Sequence, residues 1–131
     1  MEYFITFIND VATDLFYDKF YINGRDLFLR GGCYEFYKIV KHFEPSIELY
    51  IHKSIDHCAF LFNGSLYDST GIISDTNMYR KANSVDLSYI EEYFGASFIN
   101  LHLSSVIVDE IENANIKQFV YEKIKEDKKL K

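Results

Sequence analysis

The sequence predicts an α+β fold: a small antiparallel β-sheet packed with flanking helices. Three observations predict it. Apolar residues recur at steps of three and four over Tyr3–Phe20 and again over Tyr34–Phe43, which is the spacing of an amphipathic helix. Short β-type runs then flank Asn63-Gly64, a strong signal for a two-residue hairpin. A long helical pattern over Ser105–Lys128 closes the chain.

The elements follow in order. Phe4, Phe7, Ile8, Val11, Ala12, Leu15 and Phe16 form the inward stripe of the first helix, and Asn23-Gly24 marks the turn after it. A short segment, Arg25–Arg30, leads to Gly31-Gly32-Cys33. The next helix buries Phe36, Ile39, Val40 and Phe43, so Cys33 stands at its N-terminus, and Pro45 follows it. Strand signals cover Ile47–Ile51, Ile55–Phe62 and Ser65–Ser69. Gly71–Asn83 reads as a loop. Asp86–Phe94 reads as a helix, with Asp86 near its start and Gly95 as its stop. Ser97–Leu103 reads as a further strand, and the terminal helix turns Val106, Ile107, Ile111, Phe119, Val120 and Ile124 inward. The expected organisation is one domain over 1–131, with an N-terminal helix at 3–20, a core at 25–103 and a C-terminal helix at 105–128.

Composition narrows the function classes. The net charge is −6, whereas a protein that grips phosphates presents a basic face. The one basic run, Lys123–Lys131, is interrupted by Glu126 and Asp127 and reads as a solvated helix end. No nucleic-acid partner is expected. No stretch has the apolar length of a membrane span. Met1–Ile8 carries Glu2 and no basic residue, so neither a membrane partner nor a signal peptide is expected. Two cysteines, Cys33 and Cys58, make no disulfide framework. The expectation is a reduced, cytoplasmic protein. Its Asn, Ile, Lys, Tyr and Phe usage points to an AT-rich genome, that of a low-GC bacterium or its phage.

A cysteine nucleophile needs an environment that stabilises its thiolate, a nearby base, and a third group that fixes the base. A helix N-terminus serves the first need through its dipole and free N–H groups. Gly31 and Gly32 allow a sharp turn and a close approach of substrate, and the Cys33 N–H can donate to an oxyanion. The hairpin serves the other two needs. A two-residue turn at Asn63-Gly64 sets Phe62 opposite Ser65, Ala59 opposite Asp68, and His57 opposite Thr70. His57 and Asp68 then share one face as diagonal neighbours, roughly 7–8 Å apart at Cα. A slip of one residue would send Asp68 to the other face.

Gly31-Gly32-Cys33-Tyr34-Glu35-Phe36, followed by the run from His57 through Asn63-Gly64 to Tyr67-Asp68, resembles the core of papain-like cysteine enzymes. NlpC-type cell-wall peptidases and transglutaminase-like proteins share this order, and the spacing from His57 to Asp68 is particularly similar to the latter. The resemblance covers Gly31–Gly71. It implies a papain-like or transglutaminase-like core, with Cys33 as nucleophile, His57 as base and Asp68 as its orienting partner. No Gln precedes Cys33, so the usual second oxyanion donor lacks a counterpart. Gly32, Tyr34 and Asn23 are the candidates for substrate and oxyanion contacts.

Other residues read more plainly. Cys58 follows His57, so its side chain takes the other face of the strand and belongs to the core. Cys33, Cys58, His42, His52 and His57 lack the paired spacing of a zinc site; no metal or cofactor is expected. Lys41 and His42 suit the C-terminal end of their helix. His52 follows a strand and His102 takes the outer face of one. Glu35 reads as a salt-bridge residue, and Glu91, Glu92, Glu110 and Glu112 as solvated helix faces. Two functions follow as expectations. One is a thiol-dependent amide hydrolase or acyl transferase acting on a protein or peptide. The other is a catalytically silent scaffold of the same kind, serving as a small acidic inhibitor that binds a protein partner.

Overall fold

The structure, a computed structural model, describes residues 1–29, 32–95 and 103–113. The described chain is α+β, with five antiparallel strands in one sheet and helices packed against it. Helix α1 spans Glu2–Phe20 and ends where Tyr21 turns left-handed and donates its N–H to the Tyr17 carbonyl. Phe4, Ile8, Ala12 and Phe16 of the expected stripe are buried, together with Ile5, whereas Leu15 lies toward solvent. The segment after Asn23 is a short helix, α2 (Gly24–Leu29). Its six residues are too few for a periodic signal. Helix α3 (Cys33–Phe43) buries Phe36, Ile39, Val40 and Phe43 as expected.

The sheet is ordered β4-β3-β2-β1-β5, from β1 (Glu48–His52), β2 (Cys58–Phe62), β3 (Ser65–Asp68), β4 (Gly71–Ile72) and β5 (Tyr79–Lys81). The hairpin register is the expected one: Phe62 pairs with Ser65 and Phe60 with Tyr67. Asn63 and Gly64 both have positive φ, 51° and 83°, as a turn that matches strand twist requires. Two strand expectations change. Residues 53–57 form a turn in which Ile55 takes φ 62° and bonds back to the His52 carbonyl, so β2 starts only at Cys58. The expected loop over Gly71–Asn83 contains β4, a 3-10 turn at Thr76–Met78, and β5, which pairs with β1. A polar edge strand this short has no alternation to read; pairing with β1 and an ion pair from Lys81 to Glu48 at 2.5 Å hold it.

Helix α4 (Ser84–Gly95) begins with reciprocal bonds between Asn83 and Asp86, a capping box. Arg80 adds a bidentate pair to Asp86. Helix α5 (Leu103–Asn113) buries Ile107 and Ile111 but leaves Val106 exposed. Most of the strand expected at Ser97–Leu103, with His102, lies outside the described residues, as do Phe119, Val120, Ile124 and the basic run; Leu103 itself opens α5. The main core joins α1, α2, α3 and α5 to Phe60, Phe62 and Tyr67 of the sheet. A second, smaller cluster gathers Cys33, Leu49, Ile51, Cys58 and Ile90 at the end of the sheet. Among the described residues no helix is long and apolar enough to cross a membrane.

Candidate active site

One end of the sheet collects the chemistry. The strand pairings bring the end of β1, the start of β2, the end of β3 and the starts of β4 and β5 together there. Helix α3 packs on the face that carries Phe60 and Tyr67, with Phe36 against Phe60, so its first residue, Cys33, arrives at this same end. Gly32 makes that approach possible. A Cβ at Gly32 would sit 2.8 Å from the Leu27 carbonyl oxygen and 2.9 Å from Phe28 Cα. Both obstacles are backbone, so the role of Gly32 is to let α2 butt against the start of α3.

His57 occupies the last position of the turn before β2, where the pleat no longer dictates which way a side chain points. The turn is fixed by the His52 N–H donating to the His57 carbonyl at 2.9 Å. The His57 Nε2–H donates to Asp68 Oδ2 at 2.9 Å, and the imidazole also interacts directly with the Cys33 thiol. Sulfur, imidazole and carboxylate therefore interact in series.

Both carboxylate oxygens of Asp68 are used. Oδ1 accepts the Thr70 N–H at 2.8 Å and the Thr70 hydroxyl at 2.5 Å. Burial alone would raise the Asp68 carboxyl, but the bonds from His57 and Thr70 outweigh it and hold the group below its ordinary range. Burial likewise opposes charge on His57, yet its bonds to Asp68 and Cys33 and their negative charges lift it to about 10. The Cys33 thiol falls to about 5. The largest cause is a hydrogen bond from the Cys58 side chain; burial opposes it, and the bond and charge of His57 assist. Between these two values the site holds a thiolate and an imidazolium.

Cys58 is buried, as a core residue should be, but it is buried against Cys33. Its backbone N–H donates to Cys33 Sγ at 3.3 Å. The Cys33 thiolate in turn pushes the Cys58 thiol up. Tyr79, from the start of β5, sets its ring edge-on to His57 at 6.3 Å and to His52 at 5.1 Å. The sequence reading placed Thr70 opposite His57 without giving it a role, and passed over Tyr79. The Asp-x-Thr spacing of a side-chain-capped turn would have flagged Thr70; Tyr79 belongs to the strand that read as loop.

The remaining candidates have other company. Asn23 caps α2, its Oδ1 accepting the Asp26 N–H at 2.9 Å. Tyr34 stacks on Tyr37 and its hydroxyl donates to Glu91 at 3.1 Å. Glu35 pairs with Lys38 at 3.0 Å, His42 with Glu112 at 2.7 Å, and Lys41 donates to the Pro45 and Ile47 carbonyls. Among the described residues no His, Cys, Asp or Glu group is arranged to hold a metal ion. A cavity of about 560 Å³ opens between α1 and the β3–β4 turn, bordered by Asn9, Arg25 and Thr70. It lies on the carboxylate side of the series, and neither Cys33 nor His57 lines it.

Fold and site together define a small α+β protein with a Cys-His-Asp series at the end of an antiparallel sheet, in which Cys33 and Asp68 are buried and His57 is half-buried. The profile of the Phage YunG-like protein family matches residues 4–128, and the chain belongs to that family. Comparison with curated proteins and with solved structures finds no match.

Proposed function

We propose that the protein is a thiol-dependent amide hydrolase or acyl transferase of papain-like character, acting on a protein or peptide substrate. The observation that carries this reading is the 2.9 Å bond from His57 to Asp68 on an imidazole that also engages Cys33. The Cys33 thiolate attacks the carbonyl carbon, and the carbonyl electron pair moves to oxygen. The Cys33 backbone N–H, free of any intrahelical acceptor at this first helical position, faces that oxyanion. Collapse breaks the C–N bond as the His57 imidazolium gives its proton to the leaving amine. Neutral His57 then takes a proton from water, or from an acceptor amine, which attacks the thioester and frees Cys33. Asp68 holds the ring and offsets its charge throughout.

A second reading is a catalytically silent scaffold that binds and inhibits a partner protein. It is favoured by the enclosure of Cys33, which is only 5% exposed, and by the net charge of −6. The family's phage association suits either reading.

The test is acyl-enzyme formation. Incubation with an activated peptide ester is expected to leave a mass increment on Cys33 that turns over with time. Cys33→Ala abolishes it, and His57→Ala slows its formation about 10²–10⁴-fold. Equal turnover by the native protein and both folded variants would move the assignment to the binding reading.

A further inference from the structure

The hydrolase reading makes and breaks bonds at Cys33 and none at Cys58, although Cys58 is the other cysteine of the chain and lies against the first. Both are free and buried. They come from separate elements, α3 and β2, and meet in one small cluster with the Cys58 N–H on Cys33 Sγ at 3.3 Å. We propose that Cys33 and Cys58 form a reversible intramolecular disulfide, making the pair a modification site at which a hydroperoxide switches the thiol off.

The chemistry balances without help from any absent group. The Cys33 thiolate attacks one oxygen of hydrogen peroxide; an S–O bond forms and the O–O bond breaks. The departing hydroxide takes the proton of the His57 imidazolium and leaves as water. Cys33 is now a sulfenic acid, two electrons oxidised, and the peroxide is reduced. The Cys58 sulfur then attacks Cys33 Sγ, forming the S–S bond and expelling the hydroxyl. His57 carries the Cys58 proton to that hydroxyl, which leaves as a second water. A dithiol reverses the change by exchange.

The environment times the two steps. While Cys33 is a thiolate, the hydrogen bond it accepts, together with burial and its charge, keeps the proton on Cys58, so only one sulfur is nucleophilic. Conversion to the sulfenic acid removes both the anionic acceptor and the charge, and Cys58 is then able to attack. A low-pKa cysteine beside a resolving thiol is the arrangement that stops oxidation at the reversible rung. Burial of both residues places the resolving thiol closer to Cys33 Sγ than any thiol from solution. An S–S bond spans about 2 Å, and Cys33 Sγ already rests 3.3 Å from the backbone nitrogen of Cys58.

The test uses the reduced full-length protein and hydrogen peroxide, with no acyl substrate, so it stands or falls apart from hydrolysis. The expected result is joint loss of both free thiols, a mass lower by one pair of hydrogen atoms, a peptide joining Cys33 to Cys58, and full recovery with dithiothreitol. In Cys58→Ala the same treatment adds oxygen to Cys33, trapped by dimedone as the sulfenic acid. Irreversible oxygen addition at Cys33 of the native protein with Cys58 still free would overturn the proposal, as would two thiols that both resist peroxide in the folded chain.

Discussion

The backbone N–H of Cys58 points at the sulfur of Cys33 from 3.3 Å, and the next residue back along the chain, His57, meets the same sulfur with its imidazole. Two consecutive residues of one chain segment thus serve one thiol. A regular strand forbids this, because neighbours point to opposite faces. It occurs here because β2 begins at Cys58, which leaves His57 in the turn and free of the pleat.

The first consequence concerns Cys58. Its side chain is the largest single cause of the lowered Cys33 thiol. Cys58→Ala is therefore expected to move the Cys33 titration upward from about 5 toward the ordinary 9.0. Cys58→Ser, which keeps a donor, restores part of the shift. Thiolate absorbance followed against pH reads both. Cys58→Ala titrating like the native protein would remove the thiol of Cys58 from the account.

The carboxylate gives the second. Asp68→Asn removes the negative charge and the acceptor that help to lift His57 to about 10. The imidazole is expected to titrate lower, and the alkaline limb of any Cys33-dependent reaction to move down with it. Thr70→Val has a smaller effect in the same direction, since the Thr70 backbone N–H still holds Asp68 Oδ1 at 2.8 Å. Histidine ring signals in a pH series of NMR spectra check the order.

Stability should narrow on both pH flanks. Cys33 is held below 9.0 and Asp68 below 3.8, so each contributes stability that is present above its ordinary value and lost as pH falls through its folded value. His57 is lifted from 6.5 to about 10, so its contribution is full below 6.5 and lost as pH rises through about 10. Melting temperature against pH is expected to show both flanks, and Cys33→Ala to flatten the descent toward pH 5.

Two packing variants separate fold from site. Gly32→Ala forces a Cβ against the α2 backbone and is expected to cost about 1–3 kcal/mol while disturbing the Cys33 titration. Asn83→Ala removes a side chain that accepts the Asp86 N–H at 2.9 Å and is expected to cost about 1 kcal/mol with the thiol unchanged. Denaturant unfolding paired with thiol titration distinguishes them.

What the sequence disclosed depended on local signals. Asn63-Gly64 sets a register, and the pairing of Phe62 with Ser65 bears that register out; His57 meets Asp68 from the turn before β2 rather than from the strand the spacing gave it. The helical stripes placed Cys33 at a helix start. Strand β5 was not legible, because Tyr79-Arg80-Lys81 is held by a partner some thirty residues earlier rather than by its own pattern. The tie between Cys58 and Cys33 was hidden for a related reason. The core position expected of Cys58 holds, but its opposition to His57 does not, because His57 lies outside β2, and the residue it meets depended on how α3 packs. Gly32 read as freedom for a turn and proved to be room for α2.

The central claim is that the Cys33 thiolate is one half of an ion pair with His57. The most direct measurement is the pH dependence of Cys33 alkylation, located by mass spectrometry, in the native protein and in His57→Ala. The account predicts a native midpoint near 5 that moves up toward 9.0 when the imidazole is removed. Superimposable profiles, with the variant folded, would contradict it.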